Sequence, residues 1–495
     1  MMGTAADMRN GVLLVLSTCL MCGQGMPGSW DIGVPSAAGQ ATRDAGGRLR
    51  IVAAGENIWG RADSFHFEAR PVRGDVDLSA IITWDTPGGH EHKKAGLMLR
   101  AGLAPDDPHA SVMVHGDGLI ALQYRREKGG PTEEVKAPWR ARARIRLMRH
   151  GDVISMEVAL GEGAFQPAAS LTVRLPEMVY AGHAACSHDP NDRQIAVFSR
   201  MALTELGVAA EADRTLESTL ETVNIETGQR RVIYRAREHF EAPNWTRDGK
   251  HLLINGGGRI LRIPVEGGMP QHVPTGNVRV NNDHGLSFDG KWLIISGSVD
   301  RKPSQIFVLP ADGGELRLVT PLAPSYWHGI SPDGKTLVYC ASRNNDYDIY
   351  SIPFEGGQET RLTDTPGLDD GPEYSPDGRW IYFNSVRSGL MRIWRMRPDG
   401  TSPQMVSQGP PSADWFAHPS PDGRWIAYLS YDASVEGHPA NKDVTLRLAE
   451  PDGSNPRVLV TLFGGQGTIN VPSWSPDSRE FAFVSYRLVP RSAPQ

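Results

Sequence analysis

Three histidines and a glutamate stand just ahead of copies of one recurring turn: His284, His328, Glu373 and His418. The first two lie three residues before the Ser of the turn, the other two lie two before it. Imidazole nitrogen and carboxylate oxygen are favoured ligands of zinc, manganese, nickel and iron, so four such groups from consecutive units point to one divalent metal ion, with calcium a further candidate. A single such His reads rather as a polar residue bonded to water or backbone. Side chains of a strand alternate in direction, so the one-residue offset bears on whether the four converge. Asp283 and Asp370 are candidate general acid or base groups. Asp369, in the run LDDG, reads more as turn chemistry. Arg387 and Lys442 could hold a substrate carboxylate or stabilise developing charge. Asn244, His438, Gln466 and Asn470 offer hydrogen bonds to a substrate. Trp327 and Trp415 could stack on a sugar ring or fill space between units. Asn345, Asp346 and Asp348 resemble fragments of a calcium loop, without its full spacing.

The spacing shows what must position these groups. The turn recurs as TRDG (246–249), SFDG (287–290), SPDG (331–334, 375–378 and 420–423) and SPDS (475–478), at intervals of 41, 44, 44, 45 and 55 residues. A period of about 40–45 residues marks four-stranded propeller blades. Within one unit KTLVYCAS, YDIYSIPF and QETRLTD read as second, third and fourth strands, joined by Asp-Gly and Gly-Gly turns. Large residues before the turns, Trp245, Leu286, Ile330, Tyr374 and Trp474, should pack between blades. Six turns give six innermost strands. The last copy supplies only two strands, and STLETVNIETGQRRVIYR (218–235) carries the missing pair. The reading is a six-bladed propeller over 218–490, closed by its own two ends, which removes open sheet edges.

Antiparallel order alone then fixes the faces. Every approach to a turn reaches one end of the channel, here the upper end, as does each hairpin between second and third strands. The turns themselves lie at the lower end. All the candidate residues named above therefore belong to upper loops or to the strands entering from them, including the insertion GHPANKD (437–443). Loops on a rigid scaffold are where function concentrates.

The S-P-D-G repeats followed by DIYSIPFEGG resemble the TolB-type propeller repeat family over roughly 215–490. That family implies an envelope scaffold that binds a protein partner, often at the channel mouth. Residues 28–207 lack the repeat and read as a many-stranded β-sandwich, so the fold class is all-β. NIWGRADSFHF, KAGLMLR, VHGDGLIALQYRR and ACSHD resemble concanavalin-like (laminin-G-like) jelly rolls of carbohydrate-related proteins. A linker over 208–217 joins the parts. The His-marked propeller top also resembles that of oligogalacturonate lyases, although six blades and a different His spacing depart from that family. These resemblances imply a carbohydrate-active lyase or glycoside hydrolase acting on an oligosaccharide, with a non-catalytic protein- or glycan-binding role as the alternative. His66, His115, Asp117, His188 and Asp189 in the sandwich read as scattered and receive no chemistry.

A net charge of −6 over 495 residues suggests no nucleic-acid surface. Arg9, the apolar run GVLLVLSTCLMC (11–22) and GQG (23–25) read as an export signal over 1–25, too short to span a bilayer. Cys19 or Cys22 could accept a lipid. The expected location is the periplasm or the exterior. Cys186 and Cys340 would remain as buried thiols rather than a disulfide.

Overall fold

A computed structural model of the chain describes residues 27–85, 88–140 and 143–491. The expected export signal, with Cys19 and Cys22, lies outside the described residues. Apart from a three-residue 3-10 turn at Glu211–Asp213, the described residues contain strands and irregular connections. No helix among them is long and apolar enough to cross a membrane.

The N-terminal part is a β-sandwich of two seven-stranded sheets. One runs Gly28–Ile32, Phe65–Arg73, Met178–Cys186, Lys94–Arg100, His109–His115, Leu119–Arg125, Glu133–Arg140. The other runs Gln166–Thr172, Val153–Leu160, Ala143–His150, Asp75–Trp84, Gln194–Gly207, Leu49–Ala53, Gln40–Arg43. Two-residue alternation divides each strand between two environments. Ala95, Leu97 and Leu99 meet Ile145 and Leu147 in the core between the sheets. On the outer face, Met98 and Met113 pack with Phe65 and Phe67. There Asp63 accepts from Arg100 at 2.7 Å and Arg125 at 2.8 Å, all three fully buried. Such a group demands full pairing, which the two guanidiniums supply.

Five four-stranded sheets follow, with innermost strands Phe240–Trp245, Arg279–Leu286, Ser325–Ile330, Asp369–Tyr374 and Ser412–Pro419. The sixth blade joins Arg230–Ala236, Arg214–Asn224 and Glu480–Pro490, its innermost strand reduced to one bridge between Trp474 and Phe481. Its ladder runs from Arg214 opposite Pro490 to Asn224 opposite Glu480. The ring is therefore six-bladed and closed by both its ends. The closing strand starts at Arg214, so the connection is shorter than the expected 208–217.

The turn's chemistry explains its repetition. Ser331 Oγ donates to Asp333 Oδ1 at 2.6 Å, the Lys335 amide donates to the same carboxylate at 3.1 Å, and Gly334 takes φ +73°. The same Ser–Asp bond recurs at Ser287, Ser375, Ser420 and Ser475. Trp245, Leu286, Ile330, Tyr374 and Trp474, just before the turns, are buried. Cys186 and Cys340 are free and buried.

The sandwich rests on the rim of blades five and six. Asp443 accepts from the Thr172 amide and hydroxyl at 2.8 and 2.9 Å. The Phe463 amide donates to Ser170 Oγ at 3.0 Å, and Arg214 pairs with Asp75 at 2.7 Å.

Candidate functional site at the upper channel mouth

Every four-stranded blade has an innermost ladder that slips once. The slips fall between Glu241 and Asn244, Val280 and His284, Trp327 and Gly329, Asp370 and Glu373, and Trp415 and His418. Ala242, Gly371 and Phe416 take positive φ at three of them. A β-bulge re-aims the residues on either side of it. The slips lie between residues that line the upper cavity, such as Asp283, His328 and Asp370, and residues that line the lower pocket, such as Asn244, Gly329 and Glu373.

The upper end opens into a cavity of about 540 Å³. The slot five residues before the turn supplies Asn282, Tyr326, Asp370 and Asn470 to its wall. Asp283, His328, Phe416 and Gln466 add to it, and Tyr347 and His438 reach it from the second-to-third hairpins. No described residue of the sandwich lines it. The lower end holds a separate pocket of about 230 Å³, walled in part by Asn244, Trp327, Glu373 and Trp474.

His328 Nε2 lies 3.2 Å from Asp370 Oδ1. Burial raises the carboxyl of Asp370, but the hydrogen bond and charge of His328 outweigh it and hold the group near about 2. Burial disfavours the His328 imidazolium, yet Asp283 and Asp370 outweigh burial and raise its pKa. Asp283 is pushed up to about 6 by burial, which the charge of His328 opposes and that of Asp370 reinforces. Glu241, the first blade's occupant of the same slot, is pushed up to about 7 by burial and by Asp283. Burial lowers the pKa of His438, whose ring sits 4.4 Å from Trp415 and 5.3 Å from Phe416. One ionised carboxylate beside an acid that titrates near neutrality is the environment-driven division that acid–base catalysis uses.

The four proposed metal ligands do not meet. His328 faces the upper cavity with Asp370. Glu373 Oε2 and His418 Nδ1 are 2.6 Å apart below the bulges, and His418 Nε2 is held by the carbonyl of Ile469. His284 is buried, its Nδ1 on the Asn282 carbonyl at 3.1 Å and its Nε2 without a partner. The bulges send these side chains to different depths. Among the described residues no three His, Cys, Asp or Glu side chains gather as ligands of one ion, so His284, His328, Glu373 and His418 do not fit a shared metal.

Other candidates divide in the same way. Asp283, Asp370, His438, Gln466 and Asn470 line the upper cavity. Arg387 does not, because it donates to Asp369 Oδ2 at 2.8 Å and lies over the rings of Phe383 and Trp394. Lys442 is exposed on the strand Ala440–Ala449, outside the cavity lining. Asn244 donates to the Pro472 carbonyl at the lower end. Trp327 and Trp415 are buried in separate cores, so neither presents a ring face to a sugar. Tyr326, Tyr347, Phe416 and Glu241 were not apparent as site residues. The slot five before the turn would have pointed to Tyr326 and Glu241, whereas Phe416 owes its position to positive φ. In the sandwich, His115 and His188 are gathered rather than scattered, their rings 6.1 and 5.7 Å from that of His92, and His90 lies 4.3 Å from His188.

A family model described as the TolB beta propeller domain matches residues 320–444. A protein of Agrobacterium fabrum, itself uncharacterised, is 50% identical over 274 residues, covering 55% of this chain and 93% of that protein. The chain belongs to the TolB β-propeller family. A TolB homologue from Chlorobium luteolum is 30% identical over 157 residues, 31% of this chain and 32% of that protein. A solved structure from Agrobacterium tumefaciens, provisionally assigned as TolB, is 50% identical and covers 55% of this chain and 99% of that one, with a TM-score of 0.54. The TolB-type ring is thus joined here to a β-sandwich docked on its rim.

Proposed function

We propose that this TolB-type protein acts in the periplasm or outside the cell, binding the end of an oligosaccharide at the upper channel mouth and hydrolysing it by acid–base chemistry. The observation that carries the reading is Asp283: a buried carboxyl titrating near about 6, on the wall of the cavity beside the Asp370–His328 pair. In this scheme His328, held as the imidazolium by Asp283 and Asp370, gives a proton to the departing glycosidic oxygen. Asp370, kept ionised by His328, orients the attacking water or offsets positive charge at the sugar carbon. Asn281, Asn282, Gln466 and Asn470 supply hydrogen bonds to hydroxyls. Elimination from a uronate is less well supported, since Arg387 and Lys442 both lie away from the cavity.

A panel of neutral, amino and uronate oligosaccharides tests this by product chromatography, with ultraviolet absorbance to detect unsaturated products. Cleavage lost in Asp283→Asn supports hydrolysis at the mouth. Unsaturated products would replace hydrolysis by a lyase reaction, and inertness toward every sugar would leave the second reading. That reading is a non-catalytic envelope protein whose mouth receives a protein partner or glycan, and family membership favours it.

A further inference from the structure

The upper mouth has a one-sided charge. Its lining includes two aspartates, two histidines and three aromatic rings, Tyr326, Tyr347 and Phe416, and neither lysine nor arginine. The cations near its wall are committed or outside the lining: Arg279 is exposed and absent from it, and Arg343 is paired with Glu359 at 2.8 Å. Arg387 is pinned on Asp369, and Lys442 stands exposed on its strand outside the lining. Arg247 donates to the Ser287 and Leu286 carbonyls and lines the lower pocket. Among the described residues the cation acting on Asp283 is His328, which Asp370 already holds at 3.2 Å. Asp283 is only 4% exposed. A buried carboxylate whose sole counter-charge is shared with another acid is incompletely compensated. It would gain most from a ligand that brings its own positive charge. The rings nearby suit the same guest, because aromatic faces attract cations. Tyr326 and Tyr347 stand 6.5 Å apart, and Phe416 stacks at 6.1 Å on His328.

We propose that the sugar unit taken at this mouth carries a free, protonated amine, as in a de-N-acetylated amino sugar, and that the amine sits against Asp283 within reach of the Tyr326–Tyr347 and Phe416 rings. This rests on the reading of the mouth as an oligosaccharide site and adds the ligand's charge. The same lining disfavours a uronate, whose carboxylate would meet Asp370 and Asp283 with no lysine or arginine to receive it and with His328 already held by Asp370.

The test is calorimetric titration of the whole protein with three tetramers: glucosamine, N-acetylglucosamine and galacturonate. Binding of the glucosamine tetramer at least tenfold tighter than the other two is the expected result. Asp283→Asn should abolish that preference while leaving weak, charge-indifferent sugar binding. Tyr347→Ala, an exposed ring whose loss leaves the core intact, should weaken the amine sugar severalfold more than the acetylated one. Equal affinity for the three tetramers, or a preference unchanged in both variants, overturns the amine assignment alone. Absence of binding to all three overturns the oligosaccharide reading and the assignment with it.

Discussion

His328 Nε2 and Asp370 Oδ1 lie 3.2 Å apart across the seam between the third and fourth blades, their side chains 6% and 13% exposed. Each belongs to the strand entering its blade, so the pair measures how well neighbouring bulges are aligned. It also has a definite pH window. Asp370, depressed to about 2, contributes stability that is fully present above about pH 4 and is lost as pH falls from there through about 2. His328, with a raised pKa, contributes below about pH 6.5 and ceases to as pH climbs past its folded value. Asp370→Asn should therefore cost about 2 kcal/mol near pH 5. The deficit should shrink toward both pH 2 and pH 9. Urea unfolding at the three pH values checks this, and a pH-independent deficit would contradict it.

Glu241 works in the opposite sense. Its carboxyl, raised to about 7, holds a proton in the folded protein that the unfolded chain releases near its ordinary value of 4.5. Stability is complete below about pH 4.5 and is lost as pH rises through about 7. Glu241→Gln, which cannot ionise, should match the wild type at pH 4 and exceed it at pH 8 by up to about 3 kcal/mol. Chemical denaturation at both pH values decides. An equal gap at the two would mean that Glu241 does not titrate in this way.

Trp327, only 1% exposed, fills the gap between blades and closes over Gly285, leaving no room there for a Cβ. Trp327→Ala should lower stability by about 3–5 kcal/mol, as deletion of a large buried ring does. Trp327→Phe should recover most of that loss and retain ligand affinity. A Phe variant that is stable but blind to ligand would return this ring to the binding site.

Arg387 and Lys442 should behave differently from each other. Removing Arg387 strands Asp369, which is 1% exposed, so Arg387→Ala should cost about 3 kcal/mol. Lys442→Ala should leave stability and ligand affinity within error. A large affinity loss in the lysine variant, measured by titration, would show that the exposed strand takes part in recognition.

Much of the scaffold was legible because local chemistry and global topology agree. Ser331 and Asp333 define a turn that needs no tertiary help, its spacing counts blades, and the strand pair missing from 471–486 had to come from the other end. Antiparallel order also brought Asp283, His328, Asp370 and His438 to one mouth. What could not be read was depth within the channel. His328 and His284 occupy equivalent positions in sequence, yet one faces the cavity and the other is sealed against the Asn282 carbonyl. The difference lies in where each ladder slips, between Val280 and His284 in one blade and between Trp327 and Gly329 in the next, which the residue types do not announce. His418 looked like a partner of His328 and is instead bonded to Glu373 below it. The gathering of His90, His92, His115 and His188 was illegible for another reason: loops far apart in the chain meet only after the sheet has formed.

The eleven-residue ladder between Arg214–Asn224 and Glu480–Pro490 sets an order of events during synthesis. Its first strand leaves the ribosome before any of the five four-stranded blades, and its second only after all of them. Until then the nascent propeller is an arc with a bare strand edge at each end, the condition that invites pairing with other chains. A chain broken off before Glu480 is not a ring with a nick but an open crescent, and the upper mouth, shared among blades, loses its circumference with it.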